Sequence, residues 1–242
     1  SNSEWKLPED EWQAMALCYT SGTTGNPKGV VYHHRGAYLN AIGCSTSWNM
    51  THHPVYLWTL PMFHCCGWTF PWTIAALAGT NICLRRIAAK NIYDAIDKHK
   101  VTHFCGAPIV LNFLVNADPT EKQELPHTVE VMTAGAAPPA AILKATEAAG
   151  FHITHTYGLT ETYGPAVFNA PQDTWHRLDA DEYAETLIRQ GVRYPVLEDL
   201  DVMDPETMIP VPRDGETIGE IMFKGNVVMK GYLKNETATK EA

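Results

Sequence analysis

The sequence has no long hydrophobic run and no dense cluster of basic residues. None of its apolar stretches approaches the roughly 20 residues of a membrane-spanning helix, and its polar, acidic start is unlike a secretory signal. Its 18 basic residues are outnumbered by 27 acidic residues, which gives a net charge of -9. Nucleic-acid binding requires a basic surface, so we expect no nucleic-acid partner and no transmembrane segment.

Paired Cys-x-x-Cys spacing, the usual mark of a zinc site, is also absent. The cysteines lie mostly within apolar segments and are Cys18, Cys44, Cys65, Cys66, Cys83 and Cys105. This placement is typical of buried thiols in a reducing compartment, so we expect a cytoplasmic protein. Adjacent Cys65 and Cys66 beside His64 do not favour a metal site, because neighbouring residues rarely direct both side chains to one ion.

The remaining composition predicts a folded α/β protein. With 242 residues and 45% hydrophobic composition, the chain can bury a substantial core. Short β-branched or aromatic segments alternate with helical ones, which is typical of a parallel sheet with crossover helices. The predicted strands are Ala14 to Tyr19, Val55 to Leu60, Asn81 to Leu84, Val101 to Cys105, Val129 to Thr133 and His152 to Tyr157. The predicted helices are His33 to Thr46, Gly67 to Ala78, Asn91 to Lys100, Pro108 to Ala117 and Pro139 to Ala149.

The last fifty residues have a different sequence pattern. After a surface helix predicted near Asp181 to Arg189, short apolar segments alternate with Asp-Pro, Asp-Gly and Lys-Gly pairs, a pattern typical of β-hairpins. We therefore predict two parts. Residues 1–190 form an α/β ligand-binding portion, and residues 191–242 form a small β-rich, distorted barrel-like portion.

One segment, YTSGTTGNPKG from Tyr19 to Gly29, has the composition of a polyphosphate-binding loop. Glycines let backbone amides close around an anion, hydroxyl groups donate to its oxygens, and a lysine supplies positive charge. The Walker-type P-loop is the nearest alternative, but Pro27 and Gly29 stand where that motif needs glycine and Ser or Thr. The residues predicted to bind phosphate are Thr20, Ser21, Gly22, Thr23, Thr24, Gly25 and Lys28.

Three further segments begin where a predicted strand ends: PMFHCCGW, GAAPP and YGLTE. Ligands of open α/β sheets bind at the carboxyl ends of strands, so we expect these segments and the glycine-rich loop to share one rim. Together they resemble the adenylate-forming enzymes, which include acyl-CoA synthetases, luciferases and peptide-synthetase adenylation domains. The match extends through nearly the whole chain and is best for methylmercaptopropionate-CoA ligases and plant acyl-activating enzymes.

The resemblance implies roles for the residues that match the family motifs. Tyr157, followed by the flexible Gly158, would stack on adenine, Thr160 would hydrogen-bond the α-phosphate, and Glu161 would hold Mg²⁺. The small-residue turn would let adenine approach the backbone, and its members are Gly135, Ala136, Ala137 and Pro138.

The acyl side of the site is implied by the same resemblance. His64 would orient the substrate carboxylate by hydrogen bonding, since a carboxylate is already ionised at neutral pH. Trp68 would close the floor of the acyl pocket and exclude long tails, because protein interiors cannot simply stretch. Gly106, Ala107 and Pro108 would complete that pocket.

The implied reaction has two steps. A carboxylate attacks the α-phosphorus of Mg-ATP to form an acyl-adenylate and pyrophosphate, and the thiol of coenzyme A then displaces AMP. The implied substrate is a short- or medium-chain fatty or thioether acid. We expect the chain to be the central part of a larger ligase, without the mobile C-terminal domain, and therefore nearly inactive alone. Apolar surface facing the missing parts would favour self-association.

Two other functions remain open at this point. The acyl group could pass to a different acceptor, or the substrate could be a long-chain fatty acid, because pockets change specificity with single residues. From a different class, the chain could be a nucleotide-binding module without catalytic activity.

Overall fold

The structure is a computed structural model that describes residues 4, 6–20, 25–136 and 138–242. Its strands are β1 (Ala14–Tyr19), β2 (Gly29–His33), β3 (Val55–Trp58), β4 (Thr80–Cys83), β5 (His103–Gly106), β6 (Val129–Thr133), β7 (Phe151–Leu159), β8 (Gly164–Phe168), β9 (Val192–Arg193), β10 (Asp199–Met203), β11 (Glu220–Lys224) and β12 (Gly231–Tyr232). Its helices are α1 (His34–Ser47), α2 (Cys65–Trp68), α3 (Phe70–Ala76), α4 (Ala89–His99), α5 (Pro108–Val115), α6 (Ala140–Ala148), α7 (Ala180–Leu187) and α8 (Glu236–Glu241).

The main sheet has seven strands in the order β4-β3-β5-β6-β7-β8-β9. The first five strands in that order pair in parallel, while β8 and β9 add in antiparallel fashion beyond β7. Helices connect the parallel strands, as a parallel pair requires. The expected α/β fold with a mostly parallel sheet is confirmed.

Both faces of the central strands of this sheet are covered, and all four residues of β5 are buried. Side chains alternate across β3: Leu57 packs with Ile92, Ile96 and neighbouring residues on one face. Tyr56 and Trp58 pack on the other face with the Phe70 cluster. Each large apolar side chain buried in this way contributes about 1.5–3 kcal/mol of transfer free energy.

The strand before the glycine-rich loop does not belong to the parallel sheet. β1 pairs antiparallel with β2, with Leu17 opposite Val31 and Tyr19 opposite Gly29. β2 was not predicted, because the short segment GVVYH merges with the helical pattern that follows it. β12 joins the other edge of β2 and completes a three-stranded sheet. The glycine-rich segment therefore connects two antiparallel strands and does not follow a strand of the parallel sheet.

The chain beyond residue 190 forms short antiparallel pairs. β10 and β11 pair antiparallel, with Asp201 opposite Met222. The side chain of Asp204 accepts backbone hydrogen bonds from Glu206 and Thr207, which stabilises the turn after β10. β9 extends the main sheet and β12 pairs with β2, so this portion contacts both sheets. The division at residue 190 stays a prediction.

Two expectations about cysteine were wrong. The structure bonds Cys18 of β1 to Cys66 of α2, and Cys83 at the end of β4 is exposed. The spacing of 48 residues gives no local signal for this pair, because only the packing of α2 against β1 brings the two together. Cys44, Cys65 and Cys105 are free and buried, as expected.

Nowhere in the part of the chain that the structure describes is there a helix long and apolar enough to cross a membrane. The cytoplasmic location and the self-association expected from the sequence stay predictions.

His103 makes the stability of the fold depend on pH. Burial lowers the pKa of His103 to about 4, and Nδ1 lies 2.8 Å from Thr102 Oγ1. Because the unfolded chain binds this proton more readily, the contribution of neutral His103 to stability is fully present above about pH 6.5 and is lost as the pH falls towards 4. We expect His103→Gln to remove up to roughly 3 kcal/mol of this acid sensitivity.

The comparison for His103→Gln is urea unfolding of both proteins at pH 7 and pH 4.5. The free energy of unfolding should fall less between these pH values in the variant than in the original chain. An equal fall in both proteins would contradict the role of His103.

Candidate functional site

A large cleft of about 1170 Å³ lies where the two sheets and the C-terminal strands meet. Its walls come from segments far apart in sequence: the β1–β2 loop, the start of α2, the loop after β6, the end of β7, and β11 and β12. Lys28, Lys230 and Lys234 line this cleft together with Glu161 and Glu220. The cleft therefore combines cationic and carboxylate groups, which suits an anionic ligand with a bound cation.

The base of the glycine-rich loop is closed by two hydrogen bonds. Thr20 N donates to Lys28 O at 3.0 Å, and Lys28 N donates to Thr20 Oγ1 at 3.0 Å. Thr20, Gly25 and Lys28 line the cleft, and a Cβ on Gly25 would meet no atom within 4 Å. The predicted phosphate ligands Ser21, Gly22, Thr23 and Thr24 lie outside the described residues.

Thr160 and Glu161 form a short 3-10 turn directly after β7. Tyr32 of β2 fixes this turn, because its hydroxyl donates to the carbonyl oxygen of Thr160 at 2.7 Å. The Thr160 hydroxyl and Cys65 Sγ are 3.6 Å apart. Burial raises the pKa of the Cys65 thiol, so it stays protonated at neutral pH beside that hydroxyl.

The Glu161 carboxylate is held from the C-terminal side of the cleft. Tyr232 Oη donates to Glu161 Oε1 at 2.6 Å, and Met229 N donates to the Glu161 carbonyl oxygen at 2.7 Å. The Lys28 ammonium lies 4.7 Å from the centre of the Tyr232 ring. The structure thus brings the predicted metal ligand and the predicted phosphate-binding lysine to one aromatic side chain.

His64 lines the same cleft and is followed by a strained turn. The five residues from Cys65 to Thr69 all have positive φ, between 44° and 65°. Non-glycine residues in this region cost of order 1–3 kcal/mol each and persist only when their surroundings hold them. A Cβ on Gly67 would lie 2.8 Å from the ring of Trp58, so close packing holds the turn. The helix predicted from Gly67 therefore starts only at Phe70.

The Cys18–Cys66 bond ties this turn to β1, the strand that leads into the glycine-rich loop, with the two Cα atoms 6.4 Å apart. His64 and the glycine-rich loop are in this way connected through their supporting elements.

Sequence comparison decides the family. The family model described as "AMP-binding enzyme" matches residues 2–233. The chain belongs to the AMP-binding enzyme family.

Curated relatives of this chain carry ligase names. The acetate/butyrate–CoA ligase AAE7, peroxisomal, of Arabidopsis thaliana is 58% identical over 242 residues, covering 99% of this chain and 42% of the relative. The acetate–CoA ligase CCL3 of Humulus lupulus is 57% identical over 240 residues, again covering 99% of this chain and 42% of the relative. The chain thus spans less than half the length of these relatives.

Solved structures of related proteins have the same fold as this chain. ATP-bound MatB from Rhodopseudomonas palustris superposes with a TM-score of 0.81 at 26% identity, over 99% of this chain and 45% of the other. O-succinylbenzoate coenzyme A synthetase (MenE) from Bacillus subtilis, in complex with AMP, gives a TM-score of 0.77 at 25% identity, over 96% of this chain and 44% of the other.

Not every residue predicted to bind the nucleotide lines the cleft. Gly135 and Gly158 do, but Tyr157 stacks on Phe223 of β11 with ring centres 6.0 Å apart. Ala136 is exposed and Pro138 is buried, while Ala137 lies outside the described residues. The adenine-stacking role of Tyr157 stays a prediction.

The residues predicted for the acyl pocket are not among those that line the cleft. Trp68 is 4% exposed and packs with Trp58 and Phe70. Gly106 ends β5, and a Cβ there would lie 2.9 Å from Val110 Cβ. Ala107 and Pro108 begin α5. Their assignment to an acyl pocket stays a prediction.

Sequence reasoning missed two tyrosines that fix the candidate site. Tyr32 holds the Thr160 backbone, and Tyr232 holds the Glu161 carboxylate. Tyr232 lies within the segment MKGYLKN, which resembles a family motif, so a signal was present at that position. Tyr32 lies in a strand that was not predicted, and nothing local marks it.

Proposed function

We propose that this chain forms the ATP- and acyl-binding part of an AMP-forming carboxylate–CoA ligase that acts on a short- or medium-chain acid. One observation carries the proposal: Lys28 and the base of its loop face the same cleft as Thr160, Glu161 and His64. The family match and the names of the relatives support the same conclusion. The complete ligase would include sequence beyond this segment, since the relatives are more than twice as long.

The proposed chemistry needs charge neutralisation and positioning rather than an enzyme nucleophile. An oxygen of the substrate carboxylate attacks the α-phosphorus of ATP, and the bond to pyrophosphate breaks. Lys28 binds phosphate oxygens, the Thr160 hydroxyl donates to the α-phosphate, and His64 orients the attacking carboxylate. The strained turn after His64 keeps this side chain at the cleft without further ordering.

The residues present fit a magnesium ion bound with the nucleotide. Magnesium at phosphate sites takes one or two carboxylates plus substrate oxygens and water. Within the residues described, no group of three or more His, Cys, Asp or Glu side chains could hold a metal alone. Glu161 supplies a carboxylate on the cleft wall, and it would bind the ion. When bound, magnesium supplies positive charge opposite the phosphates.

The acyl chain length is proposed from two separate observations. The buried Trp68 would limit the depth of a pocket behind the cleft. The names of the relatives include acetate and butyrate, which are short acids. In the second step the thiol of coenzyme A attacks the acyl carbonyl carbon, and AMP leaves.

The test is ATP–pyrophosphate exchange by the full-length protein that contains this segment, across carboxylates from acetate through decanoate to palmitate and including thioether acids. We expect exchange with short- or medium-chain acids at least about tenfold above exchange with palmitate, since each misplaced methylene is worth a factor of about 10 or more. Thioester formation with free coenzyme A would then separate a CoA ligase from an enzyme with another acceptor.

Three results would contradict parts of the proposal. A purely long-chain preference would remove the role of Trp68. Exchange without thioester formation would indicate a different acyl acceptor. Nucleotide binding without exchange on any acid would favour a non-catalytic binding module.

A further inference from the structure

Backbone contacts on both sides of Tyr232 connect its strand to the segments that carry Lys28 and Glu161. Tyr232 pairs with Val30 across β12 and β2, and the next residue, Leu233, donates its N–H to Gly29 O at 2.7 Å. On the other side, Met229 N donates to the Glu161 carbonyl oxygen at 2.7 Å. The strand that carries Tyr232 is therefore anchored both to the end of the glycine-rich loop and to the turn that carries Glu161.

The side chain of Tyr232 makes two different contacts from this position. Its hydroxyl donates to Glu161 Oε1 at 2.6 Å, and its ring face lies 4.7 Å from the Lys28 ammonium. The first is a charge-assisted hydrogen bond, and the second is a cation–π interaction. One side chain thus contacts both a carboxylate and an ammonium on the same cleft.

These contacts keep Lys28 and Glu161 from pairing with each other. Lys28 and Glu161 have opposite charges and would weaken each other as ligands if they formed an ion pair. A hydrogen bond to one oxygen of Glu161 fixes the plane of the carboxylate, and the aromatic face holds the ammonium without neutralising it. A tyrosine hydroxyl is protonated at neutral pH, so Tyr232 can donate this hydrogen bond.

We propose that Tyr232 is a positioning residue that orients the Glu161 carboxylate towards a divalent cation and holds the Lys28 ammonium at the phosphates. This inference rests on the proposed function, because it assigns Tyr232 to the same site. It goes further by giving the two contacts different roles. The hydroxyl affects metal binding through Glu161, and the ring affects nucleotide binding through Lys28.

Two variants separate the contacts in the full-length protein. Tyr232→Phe removes the hydroxyl and keeps the ring, whereas Tyr232→Leu removes both. Fluorescence of methylanthraniloyl-ATP reports nucleotide binding while Mg²⁺ is titrated from zero. We expect Tyr232→Phe to raise the Mg²⁺ concentration at half-saturation by about tenfold, as is typical when a group supporting a metal ligand is removed. Its nucleotide affinity without Mg²⁺ should be unchanged.

We expect Tyr232→Leu to weaken Mg²⁺-free nucleotide binding as well, by about two- to fivefold. Tyr38→Phe is the matched control, because Tyr38 is 68% exposed on α1. Melting followed by circular dichroism checks that each variant is folded. In a Glu161→Gln background, Tyr232→Phe should cause no further change in Mg²⁺ dependence, whereas a general structural defect would still weaken binding.

The outcomes distinguish this inference from the proposed function. A Tyr232→Phe protein with the original Mg²⁺ requirement overturns the positioning role alone. An additional loss in the Glu161→Gln background also overturns it, because Tyr232 would then act independently of Glu161. If the unmodified protein binds no methylanthraniloyl-ATP, both the proposed function and this inference fail.

Discussion

Gly158→Ala is expected to lower the free energy of unfolding by at least about 3 kcal/mol, at the upper end for added bulk in a packed interior. A Cβ on Gly158 would overlap the carbonyl oxygen of Gly164 and lie 2.6 Å from its carbonyl carbon. These atoms belong to the backbone of β8, which pairs with β7 at this point, so no side-chain rotation can relieve the overlap. For a chain of this size we expect the melting temperature to fall by about 6–12 °C.

Gly25→Ala is the control for stability, since a Cβ there meets no atom within 4 Å. We expect its melting temperature to stay close to that of the unmodified chain. The measurement is thermal unfolding followed by circular dichroism. If Gly158→Ala melts at the original temperature, the close approach of β7 and β8 is not a feature of the folded protein.

Glu161→Gln is expected to lower the rate of ATP–pyrophosphate exchange by at least about 100-fold, comparable to the loss of one preorganised electrostatic group. The amide keeps the shape of the side chain, and its oxygen still accepts the hydrogen bond from Tyr232. It no longer carries the negative charge that a magnesium ion requires. The fold should therefore survive while the proposed chemistry is lost.

The control is Glu124→Gln, the same substitution at an exposed position outside the cleft lining. Both variants of the full-length protein are assayed at saturating ATP and then at increasing Mg²⁺. Partial recovery of Glu161→Gln at high Mg²⁺ is expected, because the substrate phosphates still bind the ion. An exchange rate equal to that of the control would exclude Glu161 as the metal ligand.

The parallel part of the fold was predictable because each element has a local pattern. Val129–Thr133 matches its predicted strand at both ends. Pro108 marks the start of α5, since proline suits the first helical position. The turn from Cys65 to Thr69 was not predictable in this way. Its left-handed backbone is imposed by packing against Trp58 and β8, and the residues themselves favour other conformations.

The candidate site also contains some residues that local motifs predict and others that only the packing of the fold brings together. Thr20, Lys28, His64, Thr160 and Glu161 were predicted from motifs, and the structure brings them to one cleft. Cys18 and Cys66 are 48 residues apart, and their pairing depends on how α2 packs against β1. No local pattern encodes such a contact.

The sequence by itself determined the kinds of chemical group available: a hydroxyl-rich loop with a lysine, a threonine–glutamate pair after a strand, and a histidine in an apolar segment. The tertiary structure decided which groups meet. Tyr232 reaches Glu161 across 71 residues because β12 adds to the edge of β2 rather than to the main sheet. Hydrophobic periodicity specifies which face of a strand is buried, whereas the choice of neighbouring strand depends on the packing of the whole chain.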